Sequence, residues 1–195
     1  ALIKEGICIV ISPLIALMKD QVRALKEKDI KAMALTSEYK YEELSTMLDN
    51  CIYGNYKFLY LSPERLQQNL VLERLKLMNI SFVAIDEAHC ISQWGNDFRP
   101  AYNHIATLRD IKPTLQFVAL TATATPKVIE DIEVNLGLQH TKHFKQSFYR
   151  ANLSYHVVKT EDKIYKLEQI LKRKYTPSII YTRNRKRTQE TFQIG

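Results

Sequence analysis

The sequence predicts an α/β fold, a doubly wound parallel sheet flanked by helices. Three observations lead there. Short apolar, β-branched runs recur along the chain with helix-spaced stretches between them. Those runs are apolar almost throughout and do not alternate, as parallel strands covered on both faces require. Several of them end in a hydroxyl residue followed by proline, the signature of a helix opening just past a strand.

In chain order, GICIVIS (6–12), KAMALTS (31–37), KFLYLS (57–62), SFVAIDE (81–87) and LQFVALTAT (115–123) read as strands. The segments 13–28, 39–52, 63–78 and 126–136 carry apolar residues at helical spacing, for example Leu14, Leu17, Met18, Val22 and Leu25. Alternation of the two implies right-handed crossovers. Ser12-Pro13, Ser62-Pro63 and Thr125-Pro126 each predict a hydroxyl N-cap with proline at the first helical position. In a parallel sheet those helix N-termini gather at one edge, where unpaired N–H groups suit phosphate oxygens. Ordinary capping explains any one of the three; three on one edge point to a phosphate-reading surface.

After LGL (136–138) the pattern changes. Residues 139–153 lack long apolar runs and read as a linker. SYHVVK (154–159) predicts a strand, 161–174 a helix and SIIYT (178–182) a further strand, the opening of a second α/β unit. The expected organisation is therefore a first domain over 1–138, a linker over 139–153 and the start of a second domain over 154–195. The start at ALIKEG and the end at TFQIG read as cuts within a longer protein.

The net charge of +7 is unevenly placed. Residues 1–138 hold 15 Lys+Arg against 17 Asp+Glu, whereas residues 139–195 hold 13 against 4. A basic segment beside a near-neutral one suits a polyanion such as nucleic acid, and equally a solvated lysine-rich face. No apolar run approaches the roughly 20 residues of a membrane span. Cys8, Cys51 and Cys90 are scattered and form no C-x-x-C pair, which argues against a disulfide framework or a zinc site and fits a reducing cytoplasm.

The densest chemistry lies in DEAHCISQWGNDFRP, Asp86 to Pro100. An apolar strand ending in Asp86-Glu87 sets two carboxylates at the carboxyl edge of the sheet. Such an aspartate can hold Mg²⁺, and a neighbouring glutamate can polarise water for attack on a terminal phosphate. A lone tryptophan is most often core, but Gln93, Gly95, Asn96 and Asp97 around Trp94 favour an exposed loop. His104, His140, His143 and His156 have no ligand spacing. Tyr39, Tyr41, Tyr53, Tyr56 and Tyr60 read as packing residues, and the run Arg183, Arg185, Lys186 and Arg187 as a helix start or a phosphate contact.

Taken together these stretches resemble the RecQ family of DNA helicases, in helicase superfamily 2. VISPLIALMKDQV (10–22) is similar to motif Ia, YLSPERL (60–66) to motif Ib, and DEAHCISQWGNDFRP to motif II with its aromatic-rich loop. LTATAT (120–125) is similar to motif III, SFYRANLSYHV (147–157) to the exit into the second domain, and IIYTRNR (179–185) to motif IV.

The resemblance implies RecA-like domains and an ATP-dependent 3′→5′ DNA helicase of recombination and repair, in the bacterial cytoplasm or nucleoid. It implies ATP and Mg²⁺ as cofactors, and single-stranded DNA and duplex junctions as partners. On it, Asp86 would help hold the Mg²⁺ of MgATP, Glu87 would orient the attacking water, and His89 would link the nucleotide site to motif III. Trp94, Phe98 and Arg99 would sense single-stranded DNA, with Ser12, Pro13, Ser62 and Arg65 of motifs Ia and Ib also on the nucleic acid. Thr121 and Thr123 would relay between the sites, and Arg185 would belong to the second domain's share of the cleft.

One departure stands out. The phosphate loop G-x-x-x-x-G-K-[ST] is missing from the 195 residues: glycines stand at 6, 54, 95, 137 and 195, none before Lys-Ser or Lys-Thr. In the family that loop precedes motif Ia, so the chain alone is expected not to hydrolyse ATP well. Two other readings stay open: a non-catalytic module for single-stranded nucleic acid, and a superfamily 2 RNA helicase, against which QWGNDFRP argues.

Overall fold

The computed structural model describes residues 1–95, 97–147, 149–173 and 177–192. The chain divides into two units, Ala1–His143 and Phe144–Gly195. The division falls inside the stretch read as a linker. On its near side, His143 Nε2 meets Glu133 Oε1 at 2.7 Å.

The first unit is built on five parallel strands, β1 (Ile7–Ile11), β2 (Ala32–Leu35), β3 (Phe58–Leu61), β4 (Ile80–Ile85) and β5 (Phe117–Ala119), in the order β2-β3-β1-β4-β5. Four helices lie on the connections between them, α1 (Ile15–Lys26), α2 (Tyr41–Tyr53), α3 (Asn69–Leu77) and α4 (Leu108–Ile111), and α5 (Pro126–Asn135) follows β5. Short 3-10 segments occupy Pro63–Gln67, Ala88–Ile91 and Pro100–Thr107.

Central strand β1 shows why the apolar runs are continuous. Successive side chains of a strand point to opposite faces, and all five residues of β1 are buried. Ile7, Ile9 and Ile11 join Leu44 and Leu48 of α2, Val71 and Leu75 of α3 and Ile132 of α5 in one core. Cys8 and Val10 join Met18 and Val22 of α1 in the other. Each fully buried Leu, Ile or Val side chain contributes roughly 1.5–3 kcal/mol, so the sheet centre is the most strongly held part of the unit.

The structure corrects several expectations. The helix predicted over 63–78 is two pieces, with Gln68 extended between them. Leu66 and Val71 are both buried in the same core. Five residues apart on one continuous helix, they would point about 140° away from each other; the break lets both face inward. Only one of the three predicted hydroxyl caps forms, Thr125 Oγ1 accepting from Val128 N at 3.4 Å. Ser62 precedes its 3-10 segment without a side-chain cap bond, and α1 starts two residues beyond Pro13 with Leu14 at its N-cap. The Ser12 hydroxyl is engaged elsewhere, as shown below.

In the second unit, α6 (Lys163–Arg173) and α7 (Arg185–Phe192) are helical. Asp162 Oδ1 accepts from Tyr165 N and Asn184 Oδ1 from Arg187 N, which satisfies otherwise open N–H groups at the helix starts. The strands predicted at 154–159 and 178–182 are not formed among the described residues. A strand needs a neighbour for its N–H and C=O groups, and no ladder pairs these two runs. Val157, Val158, Ile179 and Ile180 stay exposed. Among the described residues no helix is long and apolar enough to cross a membrane.

Candidate functional site

The site begins where β1 and β4 end side by side, Ile11 in register with Ile85. Their continuations, Ser12 and Asp86, therefore emerge as neighbours although 74 residues separate them. Asp86 N donates to Ile11 O at 2.8 Å, and the Ser12 hydroxyl donates to Asp86 Oδ2 at 3.2 Å. The second carboxylate oxygen, Oδ1, accepts from Glu87 N at 3.0 Å. Both oxygens are thus oriented before any ligand arrives. The Asp86 main-chain oxygen accepts from the Tyr102 hydroxyl at 3.0 Å. Burial, with Cys90 and Asp86 nearby, raises the Tyr102 hydroxyl well above its ordinary pKa and keeps it a donor.

Glu87 sits in the left-handed region, φ 48° and ψ 44°. For an L-residue with a full side chain this costs about 1–2 kcal/mol, the kind of strain that clusters at working sites. The turn aims Glu87 back toward His89, with Oε2 3.2 Å from Nδ1. The same Nδ1 lies 3.0 Å from Thr121 Oγ1. Nδ1 thus lies between the Glu87 carboxylate and the Thr121 hydroxyl. Thr121 reaches this place because the ladder runs past β5: Leu120 N donates to Ile85 O, and Ala88 N to Leu120 O. Thr121 Oγ1 in turn accepts from Thr123 N at 3.2 Å. A path of polar contacts thus runs Glu87–His89–Thr121–Thr123.

The aromatic loop leaves from the same turn. Arg99 N donates to Cys90 O at 2.9 Å and closes its base. Gly95 packs on the turn itself, since a Cβ there would stand 2.3 Å from His89 O. Trp94 is 74% exposed, and Phe98 is half-buried. The Arg99 guanidinium bridges Asp97 Oδ2, at 3.2 and 3.3 Å, and the main-chain oxygen of Pro13 at 3.3 Å. It ties the loop to the segment after β1. Asn96 lies outside the described residues. Trp94 and Phe98 border a cleft of about 250 Å³ with Gln93, Asn103, Asp131 and Asn135.

The fold thus brings together Ser12, Pro13, Asp86, Glu87, His89, Thr121, Thr123 and Arg99. Ser62 follows β3, whose Leu61 oxygen accepts from Ser12 N at 3.2 Å. Two residues expected on nucleic acid are engaged within the fold. Ser12 is buried and donates to Asp86; Arg65 is buried, bonded to the Thr36 oxygen and to Gln68 Oε1. Arg65 lines a different cleft, about 320 Å³, with Tyr39, Tyr41 and Gln68, which includes no residue of the Asp86–Arg99 stretch. Arg185 opens α7 of the second unit.

Sequence reasoning missed Tyr102, Ser92 and Asp131, whose roles are set by partners 16 and 39 residues away. As for a metal, Asp86 and Glu87 are hard oxygen donors of the kind Mg²⁺ takes. No group of three or more candidate ligands forms among the described residues. One or two carboxylates suit Mg²⁺ that brings phosphate oxygens with it.

Comparison with known proteins gives the family of the chain. The family model for DEAD/DEAH box helicases matches residues 2–132, which holds every strand of the sheet and the whole site in the first unit. The chain belongs to that family. Within it the chain falls in the RecQ group. It is 42% identical over 195 residues to the ATP-dependent DNA helicase RecQ of Bacillus subtilis, covering 99% of this chain and 33% of that protein. It is 42% identical over 190 residues to the probable ATP-dependent DNA helicase RecS of the same organism, covering 95% and 38%. RecQ of Haemophilus influenzae is 39% identical over 193 residues. The chain spans about a third of the length of these curated relatives.

Among solved structures, the Pyrococcus furiosus Hef helicase domain superposes with a TM-score of 0.50 at 26% identity, over 71% of this chain and 29% of that one. The Mycobacterium smegmatis helicase Lhr, bound to ssDNA and AMP-PNP, also gives 0.50, at 21% identity, over 67% and 18%. The fold of this DEAD/DEAH box chain is RecA-like.

Proposed function

We propose that the chain is the working edge of an ATP-dependent DNA helicase that couples MgATP hydrolysis to 3′→5′ unwinding. One observation carries this reading. The turn after β4 bonds on one side to Thr121 through His89, and on the other closes the loop that exposes Trp94. A single turn therefore touches both a carboxylate pair suited to hydrolysis and an aromatic loop suited to bases.

In this mechanism Asp86, held by Ser12 and by its own next N–H, would contribute a carboxylate to the Mg²⁺ of MgATP. Bound Mg²⁺ would neutralise charge on the terminal phosphates. Glu87 orients and deprotonates the attacking water, and His89 holds Glu87 against Thr121. Trp94 and Phe98 offer π-faces that take bases without sequence preference, and Arg99 adds charge. The substrates are single-stranded DNA and duplex junctions, the setting recombination and repair, and the compartment the bacterial cytoplasm or nucleoid.

DNA-stimulated ATPase of the natural full-length protein tests the reading. Glu87→Gln should abolish turnover while DNA binding persists; activity that survives it, or that ignores DNA, refutes the roles. Unwinding of substrates with 3′ or 5′ tails tests the polarity, and stimulation by RNA against DNA tests the RNA helicase alternative.

A second reading has its own support in the exposed Trp94 and in the basic excess of residues 139–195. On it the chain binds single-stranded nucleic acid without catalysis. Binding that weakens with salt, with no ATPase in the natural full-length protein, would favour it.

A further inference from the structure

We propose that Ser92 and Asp131 are positioning residues for Trp94, a hydroxyl–carboxylate latch that holds the aromatic loop on α5. The inference rests on the reading of Trp94 as the single-strand contact.

Ser92 stands at the foot of the loop and is 1% exposed. Its hydroxyl oxygen accepts from Trp94 N at 3.1 Å and its proton goes to Asp131 Oδ2 at 2.5 Å. Its main-chain oxygen accepts from Gly95 N at 3.0 Å. A hydroxyl bonded to a carboxylate at this length belongs to the strong, charge-assisted class. The other carboxylate oxygen of Asp131 is 3.7 Å from Lys127 Nζ. Exposed Trp94 has little burial of its own to fix it. Its backbone N–H therefore takes its position from Ser92, and Ser92 from α5.

The choice of helix gives the latch its consequence. α5 opens at the Thr125 cap, directly after LTATAT, the segment whose Thr121 meets His89. Trp94 and the Glu87–His89 pair are thereby joined twice: through the turn 88–91, and through Ser92, α5 and the Thr121 segment. Breaking the second connection leaves the carboxylate pair intact but frees the loop from the element that follows the nucleotide side. Asp131 and Trp94 also border the same cleft, so the latch sets one wall of the space beside the indole.

The test measures ATPase of the natural full-length protein without DNA and at saturating single-stranded DNA, with the half-saturating DNA concentration. Ser92→Ala and Asp131→Ala should leave the DNA-free rate within about twofold and lower DNA stimulation by about tenfold. Asp131→Asn keeps an acceptor oxygen for the hydroxyl and should recover most of the stimulation. The double variant S92A/D131A should be no worse than Ser92→Ala, because both singles remove the shared Ser92–Asp131 bond and Ser92→Ala removes the Trp94 bond as well.

Wild-type stimulation in both single alanine variants overturns the latch. So does equal loss of DNA-free and DNA-stimulated rates, an Asp131→Asn as impaired as Asp131→Ala, or losses that multiply in the double. If Ser92→Ala does not fold, the Asp131 pair decides alone. Trp94→Ala in the same assay separates the two readings. If it keeps full stimulation, the role of Trp94 fails and the latch with it. If it loses stimulation while S92A and D131A do not, only the latch fails.

Discussion

The Tyr102 hydroxyl donates to the main-chain oxygen of Asp86 at 3.0 Å, closing the far end of the aromatic loop onto the residue that starts it. Tyr102 is fully buried. Tyr102→Phe removes the donor and leaves a part-buried carbonyl without it, a loss of about 1 kcal/mol. A lower denaturant midpoint with unchanged slope is the expected result. ATP turnover in the full-length protein should fall as well, because the bond orients the Asp86 backbone.

Glu87 joins strain to chemistry in one residue. Replacing it with glycine removes the left-handed penalty, so Glu87→Gly should gain about 1 kcal/mol of stability while losing hydrolysis. Glu87→Gln should lose hydrolysis without that gain. Thermal melts of the two variants beside their ATPase rates check the pair; a glycine variant less stable than wild type would contradict the strain argument.

Trp94 and Arg99 should weaken single-strand binding in different ways. Trp94→Ala forfeits stacking, about 1–3 kcal/mol per base, with little change in salt dependence. Arg99→Ala removes a cation, so the slope of log affinity against log salt should flatten by about one unit. Fluorescence anisotropy with labelled single-stranded DNA at several salt concentrations distinguishes them.

Arg65 should behave as a structural residue. Its bonds to the Thr36 oxygen and Gln68 tie the 63–67 segment to the end of β2, and burial lowers its pKa from the ordinary value. Arg65→Ala should cost about 2–4 kcal/mol, with DNA affinity of the folded protein within about twofold of wild type. A large affinity loss at preserved stability would return Arg65 to the nucleic-acid contacts.

The buried thiols predict an alkaline limit. Burial pushes Cys8 up to about 11 and Cys51 up to about 12 from an ordinary 9.0. The unfolded chain therefore loses these protons first as pH rises, and proton release favours unfolding. Stability should be unaffected by these groups below pH 9 and fall between about pH 9 and 12. Melting temperatures across that range, compared with a Cys8→Ala, Cys51→Ala variant, isolate the effect.

Much of the fold is legible because its signals are local. Five buried residues in a row at β1 mark a strand covered on both faces, and helix-spaced Met18 and Val22 mark the face of α1 that covers it. Asp86 and Glu87 announce themselves by following such a strand. The caps were less legible: Ser12 has the residue type of an N-cap, but its hydroxyl donates to Asp86. The runs 154–159 and 178–182 have strand composition, yet composition supplies no partner for their backbone groups.

The sequence by itself determined the parallel character of the sheet, the turn after β4 and the nature of its side chains, because periodicity and strand-end chemistry are carried by adjacent residues. Only the tertiary structure decided that β1 lies between β3 and β4. That order brings Ser12 to Asp86; the path of the chain beyond β4 and β5 brings Tyr102 to the Asp86 backbone, and Asp131 to Ser92. The reason is physical. A hydroxyl's partner is whichever acceptor the strand order and helix packing place within 3 Å or so, and no local pattern encodes that order.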